Sequence, residues 1–252
     1  MARLPVSATI IARDAAREIG PCLESVAFAD EILVVDSGSQ DGTPEVAAAH
    51  GARVLHQAWL GYGRQKQFAA KAAAHDWVLS LDADERVTPE LRAAIESALA
   101  APTAAGFEMA RRNRFLGRWL RHGEGYPDWS LRLFDRRRAR WSDDAVHEKV
   151  ICDGPVARLS GDLLHESCDT LARYLAKQNH YTSLQAEALY RAGRRAHWGS
   201  LVLSPLLRFV RFYFLRAGFL DGLPGLVHIG IGCMNSFVKY AKLLELQGKD
   251  GP

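Results

Sequence analysis

Short apolar runs alternate with helix-length stretches over roughly residues 1–100, and this alternation most narrows what the chain can fold into. Val6-Ser7-Ala8-Thr9-Ile10-Ile11 has the composition of a buried strand, and Ile19 to Val26 that of a helix. Glu31-Ile32-Leu33-Val34-Val35-Asp36 is a second strand, closed by the dense turn Ser37-Gly38-Ser39-Gln40-Asp41-Gly42-Thr43. Thr43 is placed to cap a helix with Pro44 at its first position, running to His50. Ala52 to Leu55 predicts a strand, Gln65 to Ala74 a helix and Asp76 to Asp82 a strand, and Thr88-Pro89-Glu90 opens a helix to Leu99. Strands separated by helices of this length build right-handed βαβ units. The expected fold class is therefore α/β: a mostly parallel, Rossmann-like sheet flanked by helices. Ligands bind such sheets at the carboxyl ends of the strands. Two strands end in aspartate there, at Asp36 and Asp82.

The motif Leu81-Asp82-Ala83-Asp84-Glu85 is the sharpest chemical signal. Residues i and i+2 of an extended chain point to one side, so Asp82 and Asp84 are expected to converge at the strand tip. Convergent carboxylates favour a hard divalent cation, Mg²⁺ or Mn²⁺, which commonly bridges to substrate phosphates. The same residues also fit a solvated loop with a helix-capping acid. Asp36 can bond a ribose hydroxyl or a base edge, beside a turn that offers backbone N–H groups. Turn and cap chemistry explains Thr43 and Asp41, and Asp36 less well.

Composition excludes several classes. With 252 residues, 48% hydrophobic and 24% charged, the chain is not an acidic, aromatic-poor disordered polypeptide. Its four cysteines form no C-x-x-C pair, which speaks against a disulfide framework or zinc knuckle and for a reduced, cytosolic setting. The N-terminus is too quickly charged, at Arg13-Asp14, to read as a signal peptide. The greasy stretch Leu201 to Leu220 is broken by Pro205, Arg208, Arg211 and Arg216, so it is a poor spanning helix. Those arginines fall within one broad helical sector, which suits an interfacial helix touching anionic lipid heads; a core helix or a dimer contact is the alternative.

The two aspartate motifs, Val34 to Thr43 and Trp77 to Glu85, resemble those of family 2 glycosyltransferases with the GT-A fold. More narrowly, the chain is similar to the lipopolysaccharide core β-1,4-glucosyltransferases that add glucose to an inner-core heptose. Gln65-Lys66, Tyr126-Pro127-Asp128, Leu131-Arg132-Leu133-Phe134, Val146-His147-Glu148 and Gly218-Phe219-Leu220-Asp221-Gly222 support that likeness, which covers almost the whole chain.

The resemblance implies a catalytic domain over residues 1–165, with a donor half to about 100 and an acceptor half from about 105, then a helical region over 166–252. It implies a UDP-sugar donor, UDP-glucose first, and a lipid-A-linked core oligosaccharide acceptor. Arg13, Asp14, Asp36, Ser37, Lys66 and Asp82 would face the donor, with Asp36 on uridine and Asp82 near the ribose or sugar. Asp84 would hold the metal, and His165 is a candidate further ligand. An inverting transfer is a single displacement and needs a base for the acceptor hydroxyl. Asp143, Asp144 and Glu148 are candidates, with Glu148 first and Asp144 second. Tyr126, Asp128, Arg132, His147, Lys177 and Tyr181 would face the acceptor. Where relatives usually carry Thr-Lys-Asn-Glu, this chain has Ala12-Arg13-Asp14-Ala15.

Residues 111–140 hold ten arginines against Glu124, Asp128 and Asp135, with aromatics interleaved. No nucleic-acid motif accompanies them, so phosphate and acidic-sugar recognition is the expected use. The expected location is cytoplasmic, peripheral on the inner membrane. A nucleotidyltransferase is one rival, but the glycine-rich loop of that class is missing after the first strand. The other rival is a non-catalytic relative with a decayed donor site, suggested by Ala12 to Ala15.

Overall fold

The computed structural model describes residues 3–143, 148–166 and 170–248. The chain forms two compact units, Met1–Arg111 with Trp129–Glu166, and Arg112–Asp128 with Ser167–Pro252.

In the first unit the βαβ alternation is realised. β1 (Val6–Ala12) leads to α1 (Ile19–Ser25), β2 (Glu31–Asp36), α2 (Thr43–Ala49), β3 (Arg53–His56), α3 (Tyr62–Ala72) and β4 (Trp77–Asp82). β5 (Glu85–Val87) and α4 (Pro89–Ala100) follow, then β6 (Gly106–Phe115), β8 (Asp128–Asp135), β9 (Ala139–Trp141), β10 (Val150–Cys152) and β11 (Val156–His165), while β7 (Arg118–Trp119) falls in the 112–128 segment of the second unit. Nine strands make one sheet in the order β3-β2-β1-β4-β8-β6-β11-β5, with β7 on β6. The β3-β2-β1-β4 half is parallel, whereas β8 joins β4, and β5 joins β11, antiparallel.

β1 is buried throughout because it lies between β2 and β4 with helices on both faces. Val6, Ala8 and Ile10 pack with Ile19 and Leu23 of α1 and with Leu91, Ile95 and Leu99 of α4. Ile11 faces the other way, with Leu33, Val35 and Ala69 of α3. Each such leucine stabilises the fold by roughly 1.5–3 kcal/mol on burial. α4 begins as its sequence predicts, with the Thr88 hydroxyl accepting from Leu91 N at 3.3 Å and Pro89 in the first turn. Strand register levels the functional ends: Ala12 lies beside Asp36, and Ile11 beside Asp82.

The second unit contains α5 (Leu171–Arg191), α6 (Trp198–Phe209), a π-helical turn (Val210–Leu215), a 3₁₀ turn (Gly218–Asp221) and α7 (Gly222–Gly248). α7 packs against both α5 and α6. Asp221 explains why residues 112–128 belong here. Its buried carboxylate accepts from the backbone N–H groups of Arg121 and His122, at 2.9 and 2.8 Å. Arg208 turns inward to pair with Glu124 and donates to the Ser236 hydroxyl at 3.1 Å. Arg208 therefore leaves the lipid-facing sector in which the sequence placed it with Arg211 and Arg216, because Glu124 supplies a counter-charge inside the unit.

Candidate active site

The carboxyl ends of β1 and β2 are laced together through two loops. Asp14 N donates to Ser39 Oγ, Gln40 N to Asp14 Oδ1 and Ala15 N to Thr43 Oγ1, each at 2.8 Å, and Ala16 N to Asp41 Oδ2 at 2.9 Å. Asp14 adopts a left-handed φ of 50°, which an aspartate tolerates better than most residues. Two expectations change here. The residue before α2 is Gly42, and Asp41 Oδ1 accepts from Thr43 N at 3.1 Å and from Thr43 Oγ1 at 2.5 Å. The Thr43 hydroxyl is thus free to reach Ala15 rather than cap its own helix. Asp36, which turn chemistry was expected to explain poorly, is a turn clamp: its buried carboxylate accepts from Gly38 N at 2.9 Å, Ser39 N at 3.1 Å and the Ser39 hydroxyl. Ser37 Oγ accepts from Gln65 Nε2 at 3.1 Å, and buried Gln65 also binds Gln57 O at 3.1 Å. Arg13 is largely exposed and lies 3.8 Å from Asp14.

At the end of β4 the alternation rule fails. Residues 83 and 84 form a turn between β4 and β5, so Asp82 and Asp84 do not stand two apart on one extended strand. They take different partners. Asp82 lies 3.0 Å from Lys66 Nζ and 2.9 Å from Arg132 Nη2. Burial opposes ionisation of Asp82, but Lys66 and then Arg132 outweigh it and hold this carboxyl well below the usual carboxylate range. Asp84 Oδ2 lies 3.2 Å from His165 Nε2. The β11–β5 register brings them together by setting His165 opposite Glu85.

Lys66 is 3% exposed and shared: its Nζ is also 3.0 Å from Glu148 Oε1. It sits 4.9 Å from the centre of the Trp141 ring, a cation–π distance. Gly63, one turn earlier on α3, allows this approach. A Cβ there would meet Ser142 O at 2.2 Å and Glu148 Cβ at 3.4 Å. Asp143 is exposed, 3.7 Å from Arg64. Asp144 and His147 lie outside the described residues.

Arg132 departs from its expected acceptor role. Its side chain is buried, and Nη2 donates to Glu85 Oε1 at 2.7 Å as well as to Asp82. Burial disfavours the guanidinium charge, but Glu85 and then Asp82 more than offset this, so its pKa is raised. Glu85, fully buried, also accepts from Asp82 N at 3.0 Å and lies 3.6 Å from Arg111. Arg132 and Glu85 thus orient Asp82 from beneath. Tyr126, Asp128, Lys177 and Tyr181 belong to the second unit. There Tyr126 O accepts from Arg216 Nη2 at 3.2 Å, and Lys177 and Tyr181 lie one turn apart on α5.

Sequence reasoning missed Glu85, Gln65, Gly63 and Trp141. The first two were in view within quoted motifs. Gly63 and Trp141 carry no local signal, because their importance is a contact across more than 70 residues.

The family model for glycosyl transferase family 2 matches residues 7–153. Lipopolysaccharide core biosynthesis glycosyltransferase LpsC of Rhizobium meliloti (strain 1021) is 32% identical, over 96% of this chain and 93% of that protein. The chain belongs to glycosyl transferase family 2. Among solved structures, mannosyltransferase PcManGT from Pyrobaculum calidifontis, in complex with GDP-Man and Mn²⁺, superposes with a TM-score of 0.53 at 16% identity, covering 100% of this chain and 77% of that one. Mannosyl-3-phosphoglycerate synthase from Rubrobacter xylanophilus gives 0.51 at 20% identity, covering 77% of each. Both likenesses are of fold, and with the family match they establish the expected GT-A architecture.

A divalent ion is the cofactor this family 2 glycosyltransferase was expected to use. Among the described residues no three His, Cys, Asp or Glu side chains are grouped to hold one. Mg²⁺ is usually held by one or two carboxylates with substrate phosphates supplying other positions. Neighbouring donors around an octahedral ion with bonds of about 2.1 Å stand about 3 Å apart, and the Asp84–His165 separation of 3.2 Å fits that spacing.

Proposed function

We propose that the protein is an inverting, metal-dependent hexosyltransferase. It moves a sugar, glucose first, from UDP to a lipid-linked acceptor of the inner-core heptose type, at the cytoplasmic face of an anionic membrane. One observation carries this reading: Asp84, paired with His165, stands in the turn that follows β4, two residues beyond the Asp82 that shares Lys66 with Glu148. Likeness to LpsC supports the acceptor class, and the Mn²⁺ and GDP-Man bound by PcManGT agree with a cation and a nucleotide-sugar donor.

Asp84 and His165 would hold the ion. When bound, such an ion neutralises charge on a departing diphosphate. Asp36 and Asp14 act by fixing the loops that carry Ser37 and Arg13, the rim assigned to the nucleoside. Asp82, held ionised and oriented by Arg132, is assigned to the ribose or donor sugar. Lys66 is assigned to the diphosphate, and this couples donor binding to catalysis. An anion that draws Lys66 away breaks its ion pair with Glu148 and leaves that carboxylate to accept from the acceptor hydroxyl. Tyr126, Asp128, Lys177 and Tyr181 are assigned to the acceptor, with His147, and Asp144 stays the second candidate base.

The test is a hydrolysis and transfer screen across UDP-, GDP- and dTDP-hexoses, repeated with Glu148→Gln. That variant should bind UDP-glucose normally and lose about 10²–10⁴-fold in transfer. Full transfer by Glu148→Gln would remove Glu148 from its role. Absence of turnover with every donor would favour a non-catalytic relative.

A further inference from the structure

The second unit presents a surface that its own packing leaves uncovered. On α6 the exposed positions are Trp198, Val202, Leu203, Leu206 and Leu207, continued by Val210 at the start of the π-helical turn, a spacing that follows one side of a helix. On α7 the exposed side runs Leu223, Leu226, Gly230, Met234 and Phe237. No polar side chain interrupts either run. Phe214, Leu215, Phe219 and Leu220, in the chain that joins the two helices, are exposed as well, with Leu215 78% exposed. Exposed apolar side chains along one side of each helix and through the segment that joins them mark an interaction surface.

Charge and shape select the occupant. Residues 188–244 contain eight Lys and Arg and a single acid, Asp221, which is 1% exposed and bonded to the backbone of Arg121 and His122. Arg211 and Arg216 are exposed at the break, and Arg118 donates to Leu220 O at 3.0 Å beside it. A second copy meeting this face would bring like charges together, whereas an anionic lipid interface supplies both the apolar layer and the counter-charge. Among the described residues no single helix is long and apolar enough to cross a membrane, and the Trp198–Leu215 and Gly218–Gly248 segments, which reach that length and apolarity only together, bend by 74°.

We propose that α6, the break and the exposed side of α7 form a wedge that embeds in one leaflet of an anionic bilayer. The leucines and phenylalanines lie below the headgroups, and Arg211 and Arg216 lie at phosphate level. This deepens the membrane location in the reading above and rests on it, but not on the chemistry of transfer.

The test is sedimentation of the full chain with vesicles of phosphatidylcholine, alone or mixed equally with phosphatidylglycerol, at low and high salt. The unmodified protein should sediment with the mixed vesicles and stay bound in high salt. Leu206 and Leu207 are both more than half exposed, so the double variant Leu206→Glu/Leu207→Glu should keep its circular dichroism spectrum. It should lose about 100-fold or more in partitioning. Arg211→Gln should cost about fivefold on the mixed vesicles only. Binding that salt fully releases and the double variant retains would overturn the wedge while leaving a surface location intact. Absence of sedimentation would overturn both, and a dimer in light scattering that the double variant splits would identify a second copy as the true occupant.

Discussion

Lys66→Met tests whether one buried ammonium holds Asp82 and Glu148 together. Methionine keeps much of the length and the packing on Trp141 but removes the charge. Removing one partner of a buried pair costs about 3–5 kcal/mol, because the other charge is left uncompensated. Here Asp82 keeps Arg132 at 2.9 Å, and the Asp82 and Glu148 side chains are 27% and 20% exposed. The expected loss is therefore smaller, about 2–3 kcal/mol at neutral pH. Its pH dependence is the sharper signature. In the native chain Asp82 is held below the usual carboxylate range, so its contribution is present above that range and is lost only as pH falls through its low folded value. Without Lys66 the Asp82 carboxyl takes up its proton at higher pH in the folded state. The gap between variant and parent should then narrow as pH falls through about 4. Urea unfolding followed by circular dichroism, at neutral and acid pH, measures this. A loss under about 1 kcal/mol at neutral pH, or one of equal size in acid, refutes the shared-lysine account.

Gly63→Ala should destabilise the protein by about 1–3 kcal/mol and lower transfer, although alanine is the better helix former by about 1 kcal/mol; calorimetric melting decides, and a higher melting temperature would show that the α3 contact yields easily. His165→Ala should weaken Mn²⁺ binding about tenfold or more, read by Mn²⁺ paramagnetic resonance, and unchanged affinity would leave His165 as a mere partner of Asp84. Burial, helped by Arg208, pushes His228 down to about 4. Because the unfolded chain then binds more protons between about 6.5 and 4, stability should fall by up to about 3 kcal/mol as pH drops through that window. His228→Phe should flatten this acid limb, and an unchanged slope in the variant would assign it elsewhere.

The parallel half of the sheet was legible because local chemistry and tertiary context agree there. β2 ends where its apolar run meets Asp36, and α4 starts where Thr88-Pro89 says it should. Legibility ended where partners are distant. Arg132 sits in an arginine-rich stretch that reads as surface, yet it is buried because Glu85, 47 residues earlier in the chain, lies under it. Asp82 and Asp84 read as a convergent pair only while the chain is taken as extended, and a turn that no glycine or proline announces separates them. The periodicity of α6 was visible, but periodicity does not say which side faces inward. Glu124 decides that for Arg208, and Asp221 draws residues 112–128 into the same unit.

A nucleoside diphosphate and a divalent ion are both assigned to the end of the sheet marked by Asp84. Calorimetric titration of UDP with and without Mn²⁺, into the parent and into Asp84→Ala, addresses this most directly. Binding in the parent should depend on Mn²⁺ and fall at least about tenfold in the variant, with an unchanged melting curve. Equal UDP affinity in the two proteins, or no heat of binding in the parent under either condition, would contradict it.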